Sequence, residues 1–360
     1  VLSGVSGAVF IDPYQQSDKN NYTVYFKKDF KSSENFICGT EGLTNQAQNF
    51  TEAAGICVGT QLRNFRLALA CTGEYATAVC PPGNVTVPNT LSAMVTSVNR
   101  VTGVYEKDLS VRLTLISNTT DVIYLNAATD PFTNTSGGTM LGQNQTNMDA
   151  EIGSDNYDIG HVYSTGGGGI AGLGVVCANG NKARGVTGRG NPVGDPFNID
   201  YVAHEIGHQF GANHTFNATT GDCGSGNRSG ANAVEPGSGI TIMGYAGICG
   251  SQDLAGNSID SFHVKSLEDI VAFSQTGAGN CVAPTSTGNT PPTVTSVGGS
   301  AFNVPRLTPF TLTASSTDAN GDTVTYDWQE YDLGASTTAV PNTDSDGVRP
   351  VFRVYAPSSN

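Results

Sequence analysis

Residues 204–214 read His204-Glu205-Ile206-Gly207-His208-Gln209-Phe210-Gly211-Ala212-Asn213-His214, and this stretch decides the reading of the chain. Ile199, Val202, Ala203, Ile206 and Phe210 recur at helical spacing, so the segment predicts a helix with its apolar face toward a core. His204 and His208 lie four residues apart and project from the same face on successive turns. Two Nε2 atoms so placed can reach one zinc ion at about 2.0–2.1 Å. Glu205 is rotated away from the ion and is placed to take a proton from a water beside it. Gly211 ends the helix in a sharp turn at positive φ, which glycine allows without strain. Only that turn lets His214 come back as a third ligand. Three neutral imidazoles leave one coordination position open, as in a catalytic zinc site. A lone histidine is usually structural, but here three of the chain's five histidines fall in one pattern with the glutamate and the glycine.

The bulk of the chain bounds what surrounds this helix. Its 360 residues predict two or three domains. A hydrophobic fraction of 38% and 45 glycines fit a globular protein with a sizeable core and many turns. The formal net charge of -14 lacks the basic footprint of nucleic-acid binding and disfavours anionic membranes. No apolar run approaches the 18 or so residues of a spanning helix. The opening Val1-Leu2-Ser3-Gly4 has neither an initiator Met nor a leader, which reads as a processed or trimmed product. The eight cysteines form no C-x-x-C pair, so four disulfides in an oxidising compartment are the expectation.

Working outward, Ala8–Ile11 and Tyr22–Phe26 are strand-like and precede a polar, turn-rich tract from Gly42 to Gly59. Phe65, Leu67 and Leu69 alternate as a strand. Leu91, Met94, Val95, Val98 and Val101 have helical spacing, and Val111, Leu113 and Leu115 alternate again. Val122–Leu125 and Tyr157–Tyr163 suggest further strands, with a helical stretch near Met148 and Ile152 between them. Strands alternating with helices predict an α/β layer architecture. Residues 284–292 have linker composition. Beyond them Phe310, Leu312 and Ala314, then Val324, Tyr326 and Trp328, alternate like the strands of an all-β sandwich. The organisation expected is 1–57 ahead of the catalytic unit, 58–283 catalytic, 284–292 linker, and 293–360 an incomplete Ig-like β-sandwich.

The zinc pattern resembles the long signature of metzincin metallopeptidases, matched from His204 to His214 without departure. Thr241-Ile242-Met243-Gly244-Tyr245 is similar to their Met-turn. The resemblance makes Met243 a hydrophobic floor beneath the histidines, and the Met-x-Tyr arrangement of astacins and serralysins gives Tyr245 a role in stabilising the oxyanion. Gly168–Cys177 resembles the edge strand that adamalysins (reprolysins) present to substrate, with Gly169, Ile170, Ala171, Gly172 and Leu173 binding an extended peptide by main-chain hydrogen bonds. The likeness is closest to secreted bacterial reprolysin-like peptidases and covers roughly residues 60–283. It implies an α/β (α+β) catalytic domain with a mixed twisted sheet and an active-site helix. It also implies a Cys177–Cys281 disulfide, and Cys223 with Cys249 bracket the Met-turn as a second pair. Cys71–Cys80 and Cys38–Cys57 follow by elimination and proximity. Thr215 departs from the Asp usual after the third histidine in adamalysins, which bears on the subgroup and not on the zinc site.

The expected function is a secreted zinc-dependent endopeptidase with one catalytic Zn2+, Glu205 as general base, and zinc with Tyr245 stabilising the oxyanion. Residues 1–57 read as the retained end of an inhibitory pro-segment. There Cys38 could cap the zinc as a thiolate, although pairing with Cys57 leaves no odd thiol and is the preferred expectation. Asp318-Ala319-Asn320-Gly321-Asp322 has a spacing that can hold Ca2+ but is the more readily read as a hairpin turn. His161 and His263 read as structural. The partners expected are protein or peptide substrates and the chain's own pro-segment, for a monomer without a membrane span. The competing readings are a catalytically weak zinc scaffold that binds through the β-rich tail, and a zinc hydrolase acting on other bonds. The intact Glu205 speaks against the first and the extended edge against the second.

Overall fold

The computed structural model describes residues 9–13, 22–26, 38–41, 57–224, 226–296, 303–305, 308–343 and 349–359. β1 (Val9–Pro13) and β2 (Tyr22–Phe26) form an antiparallel ladder. β3 (Cys38–Glu41) belongs instead to the central sheet, as does β4 (Gln61–Cys71), the sheet's longest strand. Phe65, Leu67, Leu69 and Cys71 of β4 point into one core cluster, while Ala68 and Ala70 point into another. This period-2 alternation buries β4 on both faces.

Helices fill the two faces. α1 (Gly73–Val79) is capped by Thr72, whose hydroxyl accepts from the Tyr75 N–H. α2 (Val87–Leu109) is capped by Thr86, has Pro88 in its first turn, and closes on Ser110 at φ 54°. Its buried Met94, Val98, Val101 and Tyr105 follow helical spacing and cover the first face of β4. β5 (Val111–Leu115) returns parallel to β4. α3 (Gly137–Glu151) covers the opposite face through Met140, Leu141 and Met148, and leads to β6 (Ile159–Ser164), also parallel to β4. Parallel neighbours joined through a helix are what a strand–helix alternation produces.

β7 (Gly169–Gly172) and β8 (Gly185–Gly188) complete the sheet between β3 and β6. The strand order is β3-β7-β8-β6-β4-β5, with β7 antiparallel to β8 and β3 parallel to β7. The result is a mixed α/β architecture with a mixed sheet. α4 (Asp195–Phe197) runs through a π-helical stretch, Asn198–Ala203, into α5 (His204–Gln209). Arg100 of α2 clasps the start of this run through Asp195, with 2.8 Å bonds from Nε and Nη2, and the Tyr105 hydroxyl donates to the Ala203 carbonyl at 2.8 Å. α6 (Val264–Val271) closes the domain, and β9 (Thr285–Ser286) pairs antiparallel with Gln61 and Leu62.

Several expectations need correction. Val122–Leu125 is not a strand: Thr119–Val122 forms a 3-10 turn, and Ile123 makes a single bridge to Cys71. A four-residue apolar run cannot by itself distinguish the two. Part of the expected linker is the strand β9. In the tail the described residues hold one two-stranded ladder, β10 (Thr293–Ser296) with β11 (Ala314–Thr317), and an isolated Tyr326–Ser358 bridge. A sandwich is not assembled there among the described residues. The tail packs on the catalytic unit instead: Arg228 Nη2 donates to Gly334 O at 2.8 Å, Gln252 Nε2 to Thr337 O at 2.9 Å, and Thr337 bridges Ala218. At Asp318 the carboxylate accepts from the N–H groups of Asn320 and Asp322 at 2.8 and 3.0 Å, the bonding of a turn. The turn-rich tract 42–56 lies outside the described residues.

Two disulfides are present, Cys177–Cys281 and Cys223–Cys249, with Cα separations of 6.0 and 5.2 Å. Cys38, Cys57, Cys71 and Cys80 are free thiols. The Cys38–Cys57 pairing fails because Cys38 is buried in the histidine cluster while Cys57 is exposed. Cys71 and Cys80 share a core cluster without bonding: the Cys71 thiol faces the Tyr124 carbonyl at 3.9 Å and Cys80 faces the Thr90 hydroxyl at 3.3 Å.

Candidate metal centre

α5 brings His204 and His208 onto one face. It ends as the spacing requires: Gly211 has φ +91°, its N–H reaches His208 O at 2.8 Å, and the Ala212 N–H reaches Gly207 O at 3.0 Å. The chain then returns, and His208 Nε2 lies 3.1 Å from His204 Nε2 and 2.9 Å from His214 Nε2. Each ring is aimed by a backbone carbonyl at Nδ1: Ile242 O for His204 at 2.7 Å, Ala212 O for His208 at 2.7 Å, and Asn227 O for His214 at 2.6 Å. Nδ1 is therefore the donor in each ring, and the three Nε2 lone pairs converge. Two ligands bound tetrahedrally at 2.0–2.1 Å stand about 3.3 Å apart, close to the spacing found here.

Burial keeps the imidazoles neutral. It pulls His204 down to about 4 and holds His208 and His214 well below the usual histidine range, with the neighbouring rings adding to the effect for both. Burial also raises Glu205 well above the usual carboxylate range. Both Glu205 carboxylate oxygens are buried with no hydrogen-bond partner among the described residues. The Cys38 thiol is near enough to interact with this carboxylate electrostatically, without the geometry of a hydrogen bond. Converging neutral imidazoles beside an orphaned carboxylate suit a divalent cation and a water better than they suit a closed core.

Met243 lies under the helix. A Cβ on Gly207, directly before His208, would come within 2.6 Å of the Met243 sulfur, so glycine there lets the turn approach without displacement. Tyr245 stacks on Phe216 with centroids 4.4 Å apart and meets the His214 ring edge-on at 4.5 Å. Its hydroxyl donates to the Cys38 carbonyl at 3.4 Å.

Cys38 itself points at the cluster. Its Sγ lies 3.5, 3.9 and 3.8 Å from Nε2 of His204, His208 and His214, and the four ligand atoms lie within 4.8 Å of one another. Cys38, whose alternative expectation is a cap on the metal site, lies beside the three histidines and is not bonded to Cys57. Thr40, not anticipated from sequence, reaches His208 Nε2 at 3.2 Å from two residues on, on the same face of β3. The predicted strand is present at Gly169–Gly172, but it is not the sheet's edge: it is paired with β8 on one side and with β3 on the other. Leu173 lies beyond its end. The chain turns at Gly174, φ +63°, and the N–H groups of Gly174 and Val175 reach the carbonyls of His208 and Gln209 at 2.9 Å. Thr215, at the usual adamalysin Asp, places its hydroxyl 2.6 Å from the buried Glu235 carboxylate. His161 is structural, held between Gln209 and Thr187 at 2.8 Å on each side.

Such a centre, on a helix packed beneath a mixed sheet, is that of a metzincin-like zinc metallopeptidase. A sequence model of the reprolysin-like metallopeptidase family M12B matches residues 61–272, more than half of the chain, and the chain belongs to that family. It is a metalloendopeptidase, and membership implies a catalytic zinc. Among solved structures it is similar to the crystal structure of myroilysin, with 10% identity over 68% of this chain and 92% of that one, and a TM-score of 0.33. No curated protein matches.

Proposed function

We propose that the chain is the latent form of a secreted zinc-dependent endopeptidase, with the metal on His204, His208 and His214 and with Glu205 as general base. The observation that carries this is the convergence of three Nε2 atoms beside a buried carboxylate without a hydrogen-bond partner among the described residues. Zinc held there supplies Lewis acidity to a carbonyl and acidifies water. Glu205 takes the proton of the attacking water and delivers it to the leaving amine. A carboxylate raised by burial is suited to holding that proton between the two steps. Tyr245, already donating to a peptide carbonyl at 3.4 Å, donates to the substrate carbonyl as negative charge develops on it.

Residues 1–57 act in this reading as an inhibitory pro-segment. β3 fills the β7 edge that an extended substrate would add to, and Cys38 would supply a fourth ligand atom to a metal held by the three histidines. Two disulfides favour an oxidising, extracellular destination, and no helix among the described residues is long and apolar enough to cross a membrane. The test is cleavage of casein or gelatin by the chain freed of residues 1–57, with and without a chelator, beside Glu205→Ala. Chelator-sensitive cleavage that disappears in Glu205→Ala is expected. A wild-type chain that cleaves no protein would sink the enzyme reading, and activity surviving Glu205→Ala would sink the mechanism.

A further inference from the structure

A second buried carboxylate beside the third ligand's loop belongs to Glu235, which is 1% exposed and is not among the side chains converging on the metal position. Its Oε1 accepts from the hydroxyls of Thr215, at 2.6 Å, and of Thr241. Its Oε2 accepts from the N–H groups of Ile240 at 2.8 Å and Thr241 at 3.2 Å. One carboxylate thus joins two segments: the residue directly after His214, and the turn that leads into Met243. A carboxylate taken out of water is costly unless several donors meet it, and here four do.

From these contacts we infer that Glu235 is a positioning residue of the metal centre, bracing the His214 segment against the Met243 turn. Thr215 shows how closely the two are tied. Its N–H donates to Met243 O at 3.1 Å, its carbonyl accepts from the Glu235 N–H at 2.9 Å, and its hydroxyl reaches the Glu235 carboxylate. The turn closes tightly about the carboxyl group. A Cβ on Gly239, which has φ +63°, would stand 2.9 Å from the Glu235 carboxyl carbon. His214 is joined to Thr215 by a single peptide bond, so motion of Thr215 moves the third imidazole directly. His208 is held within the helix end, by Ala212 O, while His204 takes its Nδ1 bond from Ile242 O in the braced turn itself. Loss of the brace therefore acts directly on His214 and, through Ile242, on the aim of His204.

The inference rests on the zinc reading of the site, and its test keeps the two apart. Zinc affinity of the full chain is measured by competition with a chromogenic chelator, and the cobalt-loaded protein gives an absorption spectrum sensitive to ligand geometry. Glu235→Gln and Thr215→Val are expected to weaken zinc binding about 10–100-fold, the usual cost of losing an outer-shell partner, and to shift the cobalt bands. Thr215→Ser, which keeps the hydroxyl, is expected to behave as wild type. A residue that only fills the core would lower the melting temperature and leave metal affinity and cobalt bands alone, and that result overturns the proposal. If Glu235→Gln does not fold, Thr215→Val against Thr215→Ser decides, with near-ultraviolet circular dichroism of the metal-free proteins as the fold control. His214→Ala separates the readings. If it loses zinc while Glu235→Gln and Thr215→Val bind normally, the brace fails and the zinc site stands. If His214→Ala binds zinc like wild type, the zinc reading falls and the brace with it.

Discussion

Glu205 illustrates how a functional side chain can burden the fold that carries it. Its carboxylate is fully buried, without hydrogen-bond partners among the described residues, and burial raises its pKa well above the ordinary range. Glu205→Gln keeps the shape and removes the charge. Activity on a peptide substrate should fall by about 10²–10⁴, the range for a positioned general base. The melting temperature should not fall, because nothing that the carboxylate was bonded to is lost; a clear drop would show that Glu205 has a structural partner. His161 gives the opposite case, a histidine whose only task is packing. It is buried and neutral between Gln209 and Thr187, and burial lowers it to about 4. Between pH 6.5 and 4 the unfolded chain binds a proton here that the native one does not, so stability falls as pH falls across that window. The full loss is about 3 kcal/mol, from roughly 1.4 kcal/mol per unit of pKa difference. Denaturant melts at pH 7 and pH 4 should show wild type losing about that much more than His161→Gln; equal losses would refute it. At this scale the sequence was readable where chemistry is local. His204, Glu205, His208, Gly211 and His214 are set by spacing within eleven residues. Thr40 and Glu235 reach their partners across 168 and 20 residues, and no periodicity reports that.

Among the elements, the active-site helix and the Met243 turn are fitted to each other at one atom. The histidine spacing predicts α5, and Met243 could be read as a floor only through a family likeness, because an isolated methionine after glycines has no signal of its own. Gly207 holds the missing link: a helix-interior glycine is costly by propensity, about 1 kcal/mol, and here it makes room for the Met243 sulfur. Gly207→Ala should therefore destabilise the protein by about 1–3 kcal/mol through overpacking, where an exposed helix would gain. Equilibrium unfolding measures the sign, and a stabilised variant would mean the turn can retreat freely. The elements that misled are those whose pattern was short. Val122–Leu125 had four apolar-rich residues and no partner strand of matching length, so a 3-10 turn and one bridge satisfied its backbone. The alternation at Phe310–Ala314 yields strand only from Ala314. Residues after 329 take hydrogen bonds from the catalytic unit instead, through Arg228 and Gln252.

For the whole molecule the consequential fact is that β3, more than 160 residues before the histidines, completes both the sheet and the metal cluster. Two separable constraints follow. One is chemical: Cys38 Sγ lies within 4 Å of all three Nε2 atoms, and a thiolate is a strong ligand for zinc. The other is mechanical: residues 38–41 hold the β7 edge from Gly169 to Gly172, and Thr40 and the Cys38 carbonyl engage His208 and Tyr245. If the two act together, removing the thiol alone should open the metal without clearing the cleft. Cys38→Ala in the full chain is then expected to cleave a small fluorogenic peptide about ten-fold or more faster than wild type, because one metal position is freed for water. It should remain slower than a chain cut within residues 42–57 and separated from its N-terminal fragment, because strand addition still competes with substrate. Rates of the three preparations at equal zinc loading test the order. A Cys38→Ala chain as silent as wild type would assign latency to the strand alone. A wild-type full chain as fast as the cut one would end the case for latency, and would make β3 a permanent wall of the cleft.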